Sequence, residues 1–320
     1  MPVLLLAIER ERVPQGVEER LRAAAPAYEL LVTRDRDEVR ARAADIEIII
    51  GFPPRELLTA MPNLKWFQQW AAGADWLRRH PELAEADFTL TSAVGIHAVQ
   101  IGEHVFATLL ALARELPAAV LAQRERRWRG FDRARPFELF DKDLLVLGVG
   151  AIGGRVAELG KAFGMRVTGL RRNPSKAAEG VDRMVGPDAL DEVLPEADVV
   201  VLTVPLTDET RDLLSAERIG RMKPGAVLVN IGRGGTVDEQ ALAAALADGR
   251  LRGAALDVFE TEPLPPGSPL WGLPNLLVTS HYAGATPRYG ERAMALALDN
   301  LQRYVAGEPL KNVVDKKLGY

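Results

Sequence analysis

The sequence of 320 residues predicts an α/β fold with two doubly wound parallel-sheet domains, and three observations carry that expectation. Short apolar runs, several of them apolar at every position, alternate with amphipathic stretches of helical period. The alternation occurs twice, before and after a long apolar helix-like segment over 99–115. The second series opens on a glycine-rich turn between a strand-like and a helix-like run.

In the first series "VLLLAI", "YELLVT", "IEIIIGF", "LKWFQQW" and "FTLTSA" read as strands, and 17–25, 35–44 and 54–60 as helices with charge on one side only. Strands apolar on both faces need a helical layer on each side of the sheet. In the second series "LLVLG", "MRVTGL", "ADVVVLTV", "GAVLVNIG", "GAALDVF" and "NLLVTSH" read as strands, with helices starting near Ile152, Leu190, Ser215 and Asp238. A last helix is expected over 287–306. Between the two series, "QRERRWRGFDRARPFELF" interleaves arginine with Trp128. On a chain of net charge −4 it reads as a solvated helix face or a subunit contact, and nucleic acid is not an expected partner.

The sequence has no cysteine, which excludes disulfides, thiolate-bound metal and a cysteine nucleophile. No metal site is expected. The opening "MPVLLLAIERER" lacks a basic start, and no apolar run approaches the roughly 18 residues of a membrane span, so a cytoplasmic protein without a membrane partner is expected.

Within "LLVLGVGAIGGRVAELG", Gly148, Gly150 and Gly153 have the spacing G-x-G-x-x-G between a strand and a helix. The first suits a tight turn, the second a close approach of a pyrophosphate to the backbone, and the third close packing of helix on strand. A dinucleotide is the expected ligand. An acid that would bind the ribose hydroxyls is usual at the end of the next strand, but Arg171 and Arg172 stand there. Guanidinium groups pair with a 2′-phosphate that an acid would repel, so NADP is expected ahead of NAD, with Asn173 and Ser175 as further donors. The alternative is a pair of solvated arginines in an NAD-dependent protein.

Three later strands each end on a polar group, where ligands gather in open α/β sheets: Arg233, then Asp257 with Glu262, then His281. An arginine, a carboxylate and a histidine form a usable set for carbonyl reduction.

The segments "GVGAIGGRVAELGKAFGMRV", "TVPLTDETRDLLSAERIGRMKPGAVLVNIGRGGTVDEQAL", "AALDVFETEPLPPGSPLWGLPNLLVTSHYAGAT", "NLQRYVAGEPLKNVVD" and "LKWFQQWAAGADWL" together resemble the D-isomer-specific 2-hydroxyacid dehydrogenases, from about Leu64 onward. The resemblance implies a Rossmann cofactor domain, 97–286, inserted into a flavodoxin-like substrate domain made of 1–96 and 287–320, and a homodimer to which the Trp128 region contributes. It implies reduction of a 2-keto acid to the D-2-hydroxy acid, and the reverse. Arg233 would bind the carboxylate, His281 would act as proton donor and Glu262 would pair with the imidazolium. It further implies cofactor contacts from Ala151, Ile152, Pro205, Thr210, Ile231 and Asp257, and substrate-carboxylate contacts from the amides of Ala72, Gly73 and Ala74. His97 stands where many members have asparagine. A dinucleotide-sensing binding protein of corepressor type, with little turnover, is the alternative function.

Overall fold

The computed structural model describes residues 1–130, 132 and 136–319. Two compact units form: 1–96 with 286–320, and 97–285. Along the chain run β1 (Val3–Ala7), α1 (Val17–Ala24), β2 (Glu29–Val32), α2 (Arg36–Ala41), β3 (Ile46–Gly51), β4 (Trp66–Gln69) and β5 (Thr89–Thr91). Then come α3 (Ala98–Ala113), α4 (Leu116–Arg124), β6 (Asp143–Leu147), α5 (Ala151–Ala162), β7 (Arg166–Leu170), β8 (Arg183–Val185), α6 (Leu190–Val193) and β9 (Val199–Leu202). The chain continues with α7 (Ala216–Arg221), β10 (Val227–Asn230), α8 (Glu239–Ala247), β11 (Gly253–Leu256), β12 (Leu276–Val278) and α9 (Tyr289–Ala306).

The first unit holds a five-stranded sheet in the order β2-β1-β3-β4-β5, all pairs parallel. Its strands are apolar throughout because both faces are buried. Val3, Leu5 and Ala7 enter one core with Ile49 and Phe67, whereas Leu4, Leu6 and Ile8 enter the other with Ile48, Ile50 and α9 residues Ala297 and Leu301. The second unit holds a seven-stranded parallel sheet, β12-β11-β10-β9-β6-β7-β8. Here Leu145 and Leu147 face one core, Leu144 and Val146 the other. Strand order reverses beside β6, and in such sheets ligands bind at the carboxyl ends of the strands around that point. Both sheets match the predicted doubly wound class.

Four local expectations are corrected. The seventh strand, β8, has only three residues, "RMV", too few to register as a period. Residues 55–60 form a 3-10 helix in place of an α-helix. The helix expected from Leu190 lasts one turn before Pro195 diverts it into a 3-10 turn. The long helix is followed by a separate α4, which starts after Glu115 in the left-handed region. Of the basic segment, residues 131 and 133–135 lie outside the described residues. Among the described residues no single helix is long and apolar enough to cross a membrane, and α3 and α4, taken together, bend by 69°.

Candidate active site

The turn after β6 explains each glycine physically. Gly148 has φ +100°, and a Cβ there would lie 2.8 Å from Val204 Cγ1. A Cβ on Gly153 would overlap the Gly148 carbonyl, whereas one on Gly150 would meet nothing within 4 Å. Gly148 and Gly153 are therefore forced by packing, and Gly150 borders open space. The Thr203 hydroxyl pins the turn by donating to the Gly148 carbonyl at 2.5 Å. α5 begins at once, with no acidic residue in its first turn and no side-chain cap. Its first amides, from Ala151, Ile152 and Gly153, have no carbonyl of their own helix to meet, and the helix dipole favours an anion there. This cradle fits a dinucleotide pyrophosphate.

The neighbouring strand ends close the floor. Past β9, the Thr210 hydroxyl donates to the Pro205 carbonyl at 2.6 Å and accepts from the Thr207 amide at 2.7 Å. Past β10, Ile231 is buried and its amide donates to Leu202. Past β7, the Arg171 amide donates to Val185, and its guanidinium reaches the Lys176 carbonyl at 3.4 Å. Arg172 is engaged by a residue the sequence did not single out: it donates to Glu209 at 3.0 Å, in an exposed ion pair. Asn173 and Ser175 bond to each other, hydroxyl to amide oxygen, at 2.5 Å. β7 itself is held by Asp182, which accepts from the Val167 amide at 2.7 Å and from Lys161 at 2.8 Å. Those donors, Lys161 first, hold the Asp182 carboxyl below its ordinary pKa.

Glu262 and His281 are brought together. Imidazole Nδ1 lies 2.7 Å from Glu262 Oε2, and Glu262 Oε1 accepts from the Phe259 amide at 3.0 Å. The second acceptor bond fixes the carboxylate, and the carboxylate fixes the ring. His281 has φ +53°, a left-handed conformation that a non-glycine residue adopts only when its surroundings impose it. Asp257 imposes it. Only 3% exposed, this carboxylate accepts from the Thr279 hydroxyl at 2.6 Å, the Tyr282 amide at 3.1 Å and the Ala283 amide at 3.0 Å. The Asp257 carbonyl takes the His281 amide at 2.8 Å. Asp257 was expected as a cofactor contact; here the described bonds of its carboxylate go to the loop that carries His281, while its amide donates to the Asn230 carbonyl at 3.0 Å. Below that loop, His104 Nε2 lies 3.2 Å from the Thr279 hydroxyl, and burial pulls its pKa below the ordinary histidine value despite nearby Asp257.

Arg233 is held by two buried residues that sequence reasoning missed. Asn230 Nδ2 and the Thr236 hydroxyl donate to the Arg233 carbonyl at 3.0 and 2.6 Å, and Asn230 Oδ1 accepts from the Gly232 amide. The next residue, Gly234, lies so close to the Phe259–Glu260 peptide that a Cβ would overlap it. This contact joins the arginine segment to the one bearing Glu262. Beside the pair opens a cavity of about 400 Å³, lined by Phe259, Pro263, Leu264, Trp271, Val278 and Ser280 as well as Glu262 and His281. His97 is not at this pair: its Nδ1 lies 3.3 Å from the Gly284 carbonyl.

In the other unit, the loop after β4 is organised by Gln69, a buried amide. Gln69 Nε2 donates to the carbonyls of Ala71 and Gly73, both at 2.9 Å, while its oxygen accepts from the Trp76 indole at 2.8 Å. Among the described residues the amides of Ala72, Gly73 and Ala74 make no hydrogen bond. Three successive uncommitted amides thus stand at the carboxyl edge of a parallel sheet, where ligands gather in such folds.

Comparison with known proteins gives a consistent result. Residues 106–283 match the family described as D-isomer specific 2-hydroxyacid dehydrogenase, NAD binding domain. The chain is 35% identical over 307 residues to a glyoxylate reductase of Aeropyrum pernix, covering 92% of this chain and 88% of that one. It superposes with a TM-score of 0.84 and 34% identity on a D-isomer specific 2-hydroxyacid dehydrogenase of Xanthobacter autotrophicus in complex with NADPH and MES, over 100% of this chain and 99% of the other. It superposes with a TM-score of 0.83 and 29% identity on an NADPH-dependent glyoxylate/hydroxypyruvate reductase of Sinorhizobium meliloti in complex with NADP and sulfate, over 100% of both chains.

Proposed function

Because this chain belongs to the D-isomer specific 2-hydroxyacid dehydrogenase family, whose members are NAD(P)-dependent oxidoreductases, we propose that it reduces a 2-keto acid to the D-2-hydroxy acid, and the reverse, with NADP preferred to NAD. The observation that carries the reading is the 2.7 Å pair of Glu262 and His281 on a loop that buried Asp257 holds in a left-handed turn. When bound, the nicotinamide cofactor supplies the hydride that goes to C2 of the keto acid. The chain's own residues do the rest. His281 holds a proton at Nε2 for the carbonyl oxygen, and Glu262 receives the Nδ1 hydrogen and keeps the ring in place. Arg233 binds the carboxylate and aims charge at the oxygen where negative charge develops. In the substrate unit, 1–96 with 287–320, the amides of Ala72, Gly73 and Ala74 bind a substrate carboxylate.

The cofactor unit, 97–286, holds the pyrophosphate on Gly148, Gly150, Ala151, Ile152 and Gly153, with Pro205, Thr210 and Ile231 along the cleft. NADP preference rests on Arg171 and Arg172 standing where an acid would bind a ribose hydroxyl, and is supported by the NADPH- and NADP-bound relatives. Homodimerisation is supported by exposed Leu116, Val120 and Leu121 on α4 and by Trp128, 96% exposed.

The test is initial-rate reduction of glyoxylate, hydroxypyruvate, a branched-chain keto acid and phenylpyruvate, each with NADPH and NADH, followed by chiral analysis. D-hydroxy acid formed faster with NADPH is the expected result. An NADH preference refutes the role given to the arginines. Tight cofactor binding without turnover on any acid refutes the enzyme and leaves a dinucleotide sensor.

A further inference from the structure

Resting on the proposed reduction of a 2-keto acid, we infer that Arg55 forms a second anion subsite, so that the preferred substrate carries an anionic group, carboxylate or phosphate, at the end away from its keto acid. Arg55 opens the 3-10 helix that follows β3, at the carboxyl edge of the same sheet as the loop with the uncommitted amides. Its guanidinium carbon stands 4.5 Å from the ring centroid of Trp76, and the indole of Trp76 donates to Gln69, the residue that shapes that loop. One buried indole therefore supports both the amides and the cation. A guanidinium over a ring face keeps its in-plane N–H donors free for a planar anion.

The charges around it leave it wanting a partner. The acid next to it in the chain, Glu56, is taken by Arg36, and His80 lies 3.3 Å from Glu82. Arg55 makes no ion pair among the described residues, although it is half-buried. Burial first, and then the like charge of Arg79, hold its pKa below the ordinary arginine value. A partly buried cation facing a second cation is unfavourable in the free protein and is relieved when an anion binds between them. The monoanion glyoxylate would fill only the amide loop; a dianion fills both.

The experiment compares 2-keto acids matched in length: 2-oxobutyrate with oxaloacetate, 2-oxopentanoate with 2-oxoglutarate, and hydroxypyruvate with its 3-phosphate. The wild type should favour the charged member of at least one pair about 10- to 100-fold in kcat/KM, the range of a hydrogen-bonded charge pair, and which pair responds separates carboxylate from phosphate. Arg55→Met, which keeps an aliphatic contact over Trp76, should erase that preference through KM and leave the neutral acids within about threefold. Arg55→Lys should restore part of it. Equal rates on both members of every pair, or an equal loss on both in Arg55→Met, overturns the inference. Should no keto acid be reduced, calorimetry with 2-oxoglutarate, oxaloacetate and the phosphate ester separates the two readings: binding lost in Arg55→Met keeps the subsite while the reduction fails, and no binding to the wild type refutes the subsite itself.

Discussion

Replacing Asp257 by asparagine tests whether the catalytic geometry is stored in this buried carboxylate. The side chains are nearly isosteric, so packing is preserved, but asparagine has one acceptor oxygen and an amide that only donates. The carboxylate serves three donors, Thr279 and Tyr282 on Oδ1 and Ala283 on Oδ2. With the asparagine oxygen in the Oδ1 place, the Ala283 amide faces another donor; in the reverse orientation the hydroxyl and the Tyr282 amide do. A hydrogen bond to a charged group contributes about 1.5–3 kcal/mol, so losing one and weakening the others should cost the loop about 3 kcal/mol. At about 1.4 kcal/mol per tenfold, the left-handed turn that presents His281 becomes about 100-fold less populated relative to alternatives. The expected phenotype is a kcat lower by up to about 100-fold and a smaller change in KM for the keto acid, with a urea midpoint shifted down at constant m. Initial rates and urea titration on the same preparation read both. Unchanged stability with kcat within about threefold of wild type would refute the role of Asp257 in holding the loop.

Other perturbations address the remaining parts. His281→Asn should lower turnover by about 10²- to 10⁴-fold while cofactor affinity, measured by fluorescence titration, stays; retained turnover removes His281 from the proton-donor role. Gly153→Ala should destabilise by about 1–3 kcal/mol because its methyl overlaps the Gly148 carbonyl, whereas Gly154→Ala, with nothing within 4 Å, should be neutral or mildly stabilising in thermal unfolding. Glu209→Gln releases Arg172 from an exposed pair worth about 0–1 kcal/mol, and should tighten NADPH by up to about fivefold with no effect on NADH. The fourth concerns pH. Burial lowers the pKa of His104, so as pH falls through its ordinary value near 6.5 the unfolded chain takes the proton first and the fold loses stability. His104→Gln should flatten that slope below about pH 6.5, and an unchanged slope assigns it to other groups.

The two sheets were legible because burial on both faces leaves long apolar strands, and the glycine spacing because two of its three positions are dictated by packing clashes that no other residue avoids. The meeting of Glu262 and His281 was legible because both lie past strand ends, where chain direction alone gathers side chains. What stayed hidden was of two kinds: a partner distant in sequence, as where Glu209 reaches Arg172, and short-range side-chain bonds that no period marks, as where Gln69 gathers the carbonyls of Ala71 and Gly73 and where Asn230 and Thr236 hold that of Arg233. That Asp257 holds the His281 loop stayed hidden because its three donors, at 279, 282 and 283, look in the sequence like ordinary loop positions. The three-residue β8 shows no period at all, and sheet pairing with β7 decides its conformation.

Reaction type and substrate choice are thus encoded at different depths. Glu262 and His281 sit within one stretch of 25 residues, 257–281, and buried Asp257 holds its end through Thr279, Tyr282 and Ala283. Arg55 and Trp76 in one unit, and separately the cavity walls of Phe259, Leu264 and Trp271 in the other, lie on loops and 3-10 turns whose exchange leaves both sheets intact. A substitution such as Trp271→Ala, at a side chain 54% exposed whose indole donates only to the Pro265 carbonyl, should therefore change the ranking of keto acids while stability stays within about 1 kcal/mol. An equal loss on every acid, with stability kept, would mean that this wall serves the chemistry common to all substrates instead of choosing among them.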